Sequence, residues 1–147
     1  MPAAKKPRPT NHFRLTIGGK ESIGMFREIS GLDSEQDIVE QKEVDAKGNP
    51  YTIKVPGNVK WSNVELKRGI DTDQQLWQWR HQVEMEGPDV ARTDCTLELI
   101  DYDGQPIVTY TLLQAWPSKY TGVAMNAGSN EVAVESVTLA HEGFQRM

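Results

Sequence analysis

Cysteine is almost absent from this chain of 147 residues: Cys95 is the single one, so no internal disulfide can form. A chain without disulfides is typical of cytoplasmic synthesis. No apolar run approaches the roughly 18 residues that a membrane-spanning helix needs. The first residues, MPAAKKPRPT, also lack the apolar core of a secretory signal peptide. We therefore expect a protein made in the cytoplasm, with no signal peptide and no membrane insertion.

Catalytic and metal-binding motifs are missing as well. The three histidines, His12, His81 and His141, are too far apart to form a His-x-His or His-Glu-x-x-His zinc motif. No nucleophile elbow and no glycine-rich phosphate loop occurs. Cys95 lies in the segment TDCTLELI, where a buried apolar thiol is a better interpretation than a nucleophile. We expect no enzyme activity, no metal and no cofactor.

Positive charge is scarce outside the N-terminus. The net charge is -5, and Lys5, Lys6 and Arg8 lie within the first ten residues, so the rest of the chain is three charges more negative. Such an acidic body is a poor clamp for nucleic acid, because neutralising phosphates requires clustered Lys and Arg. We expect no sequence-specific nucleic-acid binding.

Carboxylates, in contrast, are abundant, and a pair of them could act as in a glycosidase. Four lie on predicted strands and could approach one another: Glu98, Asp101, Glu131 and Glu135. No aromatic sugar platform accompanies them in sequence. A solvated acidic sheet face is therefore the favoured interpretation.

The length predicts one domain. Residues 1–10 are basic and proline-rich and are predicted to form a flexible extension. Residues 11–147 are predicted to form a single β domain.

Two-residue alternation of polar and apolar side chains dominates that domain and predicts strands. The longest alternation covers 131–142, near the end of the chain. The other predicted strands cover residues 13–18, 23–30, 36–44, 51–55, 59–70, 93–101 and 105–114. Pro117 is predicted to break the ladder after the last of these.

One segment has helical spacing instead. Leu76, Trp79 and Val83 lie on one face of a helix predicted at about 73–85. Thr72 and Gln75 are interpreted as a capping box. Trp77 and Trp79 point to different sides, so one is predicted in the core and the other as a contact residue. Together these elements predict a mainly β fold, a sandwich or small barrel of two antiparallel sheets with one flanking helix.

The hairpin at about 36–55 is polar, with only a thin apolar face. It supplies little core of its own. We interpret it as an arm that is buried on another molecule, in preference to a surface decoration.

Seven segments together resemble one known family. They are GMFREISGL (24–32), LKRGI (66–70), LWQW (76–79), DYDGQP (101–106), AWPSKY (115–120), NEVAVE (130–135) and HEGF (141–144). Over residues 13–144 this ordered set resembles the tail tube proteins of contractile phages and of phage-derived contractile injection particles. The resemblance applies equally to phage tails, bacteriocins and extracellular injection systems.

The resemblance implies a fold of the tail-tube and Hcp type and a structural function. Hexameric rings would stack into a rigid hollow inner tube that conducts cargo, either DNA or protein effectors. The implied partners are other copies of the chain, a sheath protein, baseplate or initiator proteins, terminator proteins and the cargo. The particle would be assembled in the bacterial cytoplasm and act as part of a virion or extracellular particle.

The resemblance also suggests candidate contact residues. Those of the inter-subunit arm are Val39, Gln41, Lys47, Asn49, Tyr51 and Ile53. Those of the outer face, towards the sheath, are Trp77, Arg80 and His81. Those facing the lumen or a solvated seam are Glu98, Glu131 and Glu135. On the last strand, Val132 and Val134 are expected to pack within the subunit, and an acidic lumen wall would repel DNA and acidic proteins.

A second function remains open at this point. A soluble β-sandwich could bind a small ligand or carbohydrate, with tryptophans as platforms. The candidates are Trp61, Trp77, Trp79 and Trp116. An enzyme that uses a carboxylate pair is a third possibility.

Overall fold

The computed structural model describes residues 12–19, 22–69, 72–101, 103–122 and 133–147. Over these ranges the chain forms ten strands and two helices. The strands are β1 (His12–Ile17), β2 (Ser22–Phe26), β3 (Glu28–Ser30), β4 (Ser34–Val44), β5 (Pro50–Trp61), β6 (Val64–Gly69), β7 (Thr93–Ile100), β8 (Pro106–Thr121), β9 (Val134–Ala140) and β10 (Phe144–Arg146). The helices are α1 (Gln75–Glu86) and α2 (Pro88–Ala91). The predicted mainly β class is confirmed.

Eight strands form one antiparallel sheet in the order β2-β1-β7-β8-β9-β6-β3, with β10 paired to β8. The first half of β8 pairs with β7 and β10, and its second half pairs with β9. The sheet therefore divides at β8 into a first layer (β2, β1, β7, β8, β10) and a second layer (β8, β9, β6, β3). The end strands β2 and β3 are not paired with each other, so the barrel is open. Among the described strands, β4 and β5 pair only with each other.

β8 connects the two layers because its backbone is irregular in the middle. Gln114 has a positive φ of 52°, and the pairing with β9 shifts register between Pro117 and Lys119. The prediction that Pro117 ends the ladder is wrong, since β8 continues to Thr121. Proline lacks a donor N–H, and a register irregularity is where a strand tolerates that loss.

Several strand boundaries also differ from the prediction. The strand predicted at 23–30 is two strands, separated at Arg27, whose N–H donates to the carbonyl of Lys67. The strand predicted at 59–70 is wrong, because β5 extends to Trp61 and a new strand begins at Val64. The strand predicted at 131–142 is β9, which ends at Ala140, and residues 131–132 lie outside the described ranges.

The predicted helix is confirmed as α1, but it begins two residues later. The predicted capping box is wrong. Gln74 is the N-cap residue of α1, and no side-chain hydrogen bond caps the helix at this residue. Instead, the Oδ1 atom of Asp73 accepts a hydrogen bond from the N–H of Gln75 at 3.0 Å. Gly87, with φ of 90°, ends α1, and Pro88 begins the short helix α2, which was not predicted.

The core lies between the two layers and α1. Its buried side chains include Leu15, Phe26, Leu66, Leu97, Leu112, Val137 and Leu139 from the strands and Leu76, Trp79 and Val83 from α1. Trp79 is buried and its indole N–H donates to the carbonyl of Ala91, whereas Trp77 is exposed. Cys95 is also buried, and burial raises the pKa of its thiol to about 12. The expectation of a buried thiol is confirmed.

Candidate assembly surfaces

The hairpin of β4 and β5, here called the arm, is the most exposed part of the fold. It covers 34–61 and is longer than the predicted 36–55. Val39, Val44 and Val59 are each more than half exposed, and no arm residue before Trp61 belongs to the core cluster or packs against it. A hairpin of this kind, with no third strand, is marginally stable alone in water.

The two faces of the arm differ in character. Directly paired residues share a face of an antiparallel ladder, and Val39 pairs with Val55, Gln41 with Ile53, and Glu43 with Tyr51. This set, the apolar face, carries four apolar side chains out of six. The opposite face pairs Ile38 with Pro56, Glu40 with Lys54, Lys42 with Thr52 and Val44 with Pro50. This set, the charged face, carries three charged side chains and Thr52 beside four apolar ones.

Hydrogen bonds to one side chain hold the arm turn together. The Oδ1 atom of Asp45 accepts hydrogen bonds from the N–H groups of Lys47 and Asn49, at 2.9 and 2.8 Å. Gly48 has φ of 83°, a conformation that glycine adopts without strain. Of the six predicted arm contacts, four lie on the apolar face (Val39, Gln41, Tyr51, Ile53) and two in the turn (Lys47, Asn49).

The root of the arm is fixed to the body. The N–H of Ser62 donates to the carbonyl of Asp33, and the ring of Trp61 packs edge-on against Phe144, with centroids 5.1 Å apart. A Cβ atom at Gly31 would lie 2.0 Å from the carbonyl oxygen of Asn63, and Gly31 has φ of 90°. Only glycine fits there, so the direction of the arm is determined at its base.

The exposed side of α1 carries two of the three predicted outer-face residues. Trp77 is 46% exposed and stacks on His81, with ring centroids 4.7 Å apart and planes within 10°. Arg80 is placed differently, because its Nη1 atom donates to the carbonyl of Pro117 and its Nε atom faces Glu84. Arg80 therefore holds α1 on β8, and Trp77 and His81 remain available to a partner.

A buried ionic cluster lies where the second layer meets the start of α1. The Nε atom of Arg68 donates to Oε1 of Glu135 at 2.5 Å, and the hydroxyl of Tyr120 donates to Oε2 at 2.6 Å. Asp73 lies 3.8 Å from the same guanidinium, which packs over the ring of Phe26. Burial, then the hydrogen bond and charge of Glu135, raise the pKa of Tyr120 to about 12.

This cluster corrects the predicted orientation of β9. Glu135 is only 4% exposed and Val134 is 39% exposed, so the expectation that Glu135 faces a lumen or seam, and Val134 the interior, is wrong. Glu135 is in phase with buried Val137 and Leu139, and its charge is neutralised by Arg68. Glu131 and Val132 lie outside the described residues.

Sequence reasoning missed Arg68 and Tyr120. The available signal was the alternation along β9, because Glu135, Val137 and Leu139 are two residues apart and lie on the same face of the strand. A carboxylate on the same strand face as two core residues is buried and requires a buried cation as its partner. Glu98, the remaining predicted lumen residue, lies on β7 directly opposite Arg14 of β1 and is partly exposed.

The tryptophans do not form a ligand platform. Trp79 is buried, Trp116 packs against the core cluster, and Trp61 is covered by Phe144. Among the described residues no group of three His, Cys, Asp or Glu side chains could hold a metal ion. Within the same ranges, no helix has the length and apolar character needed to cross a membrane.

Comparison with known proteins assigns the chain to a family. No curated protein matches the chain. Among solved structures, it is similar to a chain of the sheath-tube complex of an extracellular contractile injection system, PVC, with 27% identity, a TM-score of 0.76, and 96% of this chain and 91% of the other covered. A chain of the PVC sheath/tube terminator is 27% identical, with a TM-score of 0.75 and 99% of both chains covered.

A chain of the tube-terminating cap of the anti-feeding prophage is 26% identical, with a TM-score of 0.75 and coverage of 100% of this chain and 95% of the other. Hcp1 from Flavobacterium johnsoniae is 17% identical, with a TM-score of 0.53, 92% of this chain and 94% of the other covered, and shares the fold. The sequence matches the family described as T4-like virus tail tube protein gp19 over residues 9–145. The chain belongs to this tail tube protein family.

Proposed function

We propose that copies of this chain close into hexameric rings, and that the rings stack into the inner tube of a contractile injection particle. The main observation in support of this proposal is the exposure of the arm. An exposed row of four apolar side chains, on a hairpin with no core of its own, finds its burial on a second copy of the chain. Full burial of a Val or Ile side chain stabilises by about 1.5–3 kcal/mol, so several half-exposed ones contribute a substantial contact.

The geometry also supports stacking. A β layer with unpaired end strands can continue into the sheet of a neighbour, and ring closure removes those edges. A contact between two different surfaces of identical subunits closes a ring or extends a filament. The sheet supplies edges for the ring, and the arm supplies a projecting contact for the next ring or subunit.

The partners outside the tube are part of the same proposal. The similar structures come from complexes described as sheath-tube, sheath/tube terminator and tube cap. A sheath protein would contact the α1 side at Trp77 and His81, terminator and baseplate proteins would contact the end rings, and cargo would fill the lumen. We propose a structural role without catalysis, and an extracellular location as part of the assembled particle.

Electron microscopy of the purified protein tests the proposal directly. We expect rings with six-fold symmetry, or tubes built from them, in negative stain. A variant in which residues 36–59 are replaced by a short turn keeps the body folded, because the core does not use them, but forms no tubes. A wild-type protein that stays monomeric at high concentration would refute the assembly, and an arm-less variant that forms normal tubes would refute the arm's role.

A further inference from the structure

A groove of about 760 Å³ lies between the two helices and the end of the first layer at which β1 ends and β7 begins. Ile17, Trp79 and Ala91 supply apolar surface inside it. Val90 also lines the groove and is 57% exposed. The groove therefore presents apolar surface to solvent in the monomer.

One wall of the groove is a row of amide side chains. Gln75, Gln78 and Gln82 are three and four residues apart on α1, so they share one face of the helix. Glu86, four residues further along, continues the row, which is about 16 Å long at 1.5 Å per residue. An amide both donates and accepts hydrogen bonds. A row of amides therefore suits the backbone of an extended peptide.

The α2 end of the groove has a surplus of negative charge. Arg92 is the one charged residue among the described residues that line the groove. Its guanidinium lies 3.8 Å from Asp89 and 3.4 Å from Glu142, whose side chains are 93% and 62% exposed. Glu86, which is exposed, adds a third carboxylate. Three carboxylates against one guanidinium favour a cationic ligand.

The chain contains a segment of matching composition. Residues 1–11 lie outside the described ranges and join β1 at His12. They carry Lys5, Lys6 and Arg8 beside three prolines and two alanines, and no acidic residue. Because proline lacks a donor N–H, such a segment presents mainly carbonyl acceptors. Proline-rich segments bind in the polyproline II conformation to grooves that contain aromatic side chains.

The dimensions of this segment fit the groove. In the polyproline II conformation, residues 4–9 are about 16 Å long at 3.1 Å per residue. Residues three apart share one edge of that helix. Ala4 and Pro7 would thus form an apolar edge towards the floor of the groove, and Lys5 and Arg8 a cationic edge towards its carboxylates.

The segment and the groove lie at opposite ends of the first layer. His12 pairs with Ile100 at the end of β7, whereas Ile17 pairs with Cys95 near its start. To reach the groove of its own subunit, the segment would first run back along about 17 Å of β1, which uses about five residues and leaves Arg8 short of the groove. In a head-to-tail stack, the end that carries His12 meets the groove end of the next subunit.

We propose that residues 4–9 of one subunit dock in this groove on a second copy of the chain, with Lys5 and Arg8 beside Glu86 and Asp89. The inference rests on the stacked assembly of the proposed function. It gives the tube a second contact between subunits, besides the arm. This contact is electrostatic in part, so it weakens as the salt concentration rises.

A disulfide trap in assembled tubes tests the contact. Pro7→Cys is combined with Gln78→Cys in the middle of the amide row, and native Cys95 is buried and takes no part. On mild oxidation we expect a ladder of covalent oligomers, because each bond joins two subunits. The matched control is Pro7→Cys/Thr138→Cys, with the second thiol on the outer side of the second layer. The ladder should form at least about tenfold faster than in this control, and equal rates would overturn the proposal.

Other occupants of the groove give different results. Cross-linked monomers without a ladder would mean that the segment docks on its own subunit. A ladder from Ile53→Cys/Gln78→Cys, with none from the Pro7→Cys pair, would mean that the arm fills the groove. Either result overturns the proposal while tubes still form. Failure of the wild type to form tubes would instead refute the proposed function.

A charge exchange tests the assigned ion pairs. Lys5→Glu/Arg8→Glu and Glu86→Lys/Asp89→Lys should each lower the yield of sedimented tubes at least about fivefold at low salt, because each brings like charges together. Combining all four changes should restore the yield to within about twofold of the wild type.

The control for this rescue combines Lys5→Glu/Arg8→Glu with Glu65→Lys/Glu98→Lys on the sheet. It has the same net charge but leaves the groove acidic, so it should not restore the yield. Rescue by both combinations, or by neither, would overturn the pairing of the segment with the groove.

Discussion

At the scale of single residues, the ionic cluster around Arg68 is the least replaceable part of the body. Arg68 and Glu135 are both under 10% exposed, and Tyr120 uses the second carboxylate oxygen. Removing one member of a buried pair leaves the other charge without compensation. Gly24 belongs to the same arrangement, because a Cβ atom there would lie 2.4 Å from the Arg68 Nη1 atom.

We expect Glu135→Gln to lower the free energy of unfolding of the monomer by about 3 kcal/mol, because it removes the charged partner that contacts the buried Arg68 guanidinium most closely. Urea denaturation measures the change. The control is Glu65→Gln, which removes the exposed ion pair with Lys67 and should cost less than about 1 kcal/mol. Equal costs for the two variants would contradict the burial argument.

The raised pKa of Tyr120, about 12 against an ordinary 10.0, predicts a pH dependence of a definite sign. The folded protein keeps the phenol protonated where the unfolded chain releases the proton. Its stabilising effect is therefore complete below pH 10 and is lost as the pH rises from 10 towards 12. The stability difference between wild type and Tyr120→Phe should be constant below pH 10 and shrink above it. Chemical denaturation of both proteins at several pH values tests this, and a difference that stays constant to pH 11.5 would contradict it.

The orientation of β9 shows why the sequence pattern alone did not predict which of its side chains are buried. Val132 and Val134 are at even positions, whereas Val137 and Leu139 are at odd positions. The apolar residues of the alternation therefore change from one strand face to the other midway along the segment. The partner that decides the facing, Arg68, lies 67 positions away from Glu135. Alternation identifies a strand, but a long-range partner determines which of its faces is buried.

At the scale of elements, turn chemistry made the arm predictable. The segment Ala46-Lys47-Gly48-Asn49-Pro50 suits only a turn, and strands on both sides of it follow. The course of β8 was not predictable in the same way. A proline normally ends a strand, and the bend at Gln114 reflects the need to join two layers, which is a tertiary requirement.

The two faces of the arm give a matched pair of variants. Val39→Thr/Ile53→Thr makes the apolar face polar, and Ile38→Thr/Val44→Thr does the same on the charged face. We expect the first to reduce tube yield at least about tenfold, since each subunit loses roughly 2 kcal/mol of apolar burial, and the second to reduce it less than about twofold. Sedimentation of tubes measures the yield. Melting temperatures of both monomers should stay near the wild type, because neither pair contributes to the core.

Reversed yields for those two variants would mean that the arm binds through its charged face. Equal losses would mean that both faces are buried on assembly. A loss of monomer stability in either variant would show that the arm packs on its own body in solution.

At the scale of the whole molecule, the chain is a stable body joined to an arm that is incomplete alone. The body has a continuous core of two layers and a helix, and the arm has a ladder of its own with exposed side chains on both faces. Stability is thus unevenly distributed before assembly. If the arm binds a neighbouring subunit only in its folded form, assembly stabilises the folded arm by mass action.

Hydrogen exchange measures this uneven distribution. In the monomer, we expect the amide hydrogens of β4 and β5 to exchange rapidly, because a two-stranded hairpin without a covered face opens easily. The amide hydrogens of β7 and β8, which are central in the sheet, should be protected in the monomer and remain so. In assembled tubes the arm amides should slow by at least about a hundredfold, equivalent to nearly 3 kcal/mol of added local stability. An arm that exchanges equally fast in monomers and tubes would remain in solvent after assembly. In that case the rings would be held together by the sheet edges alone.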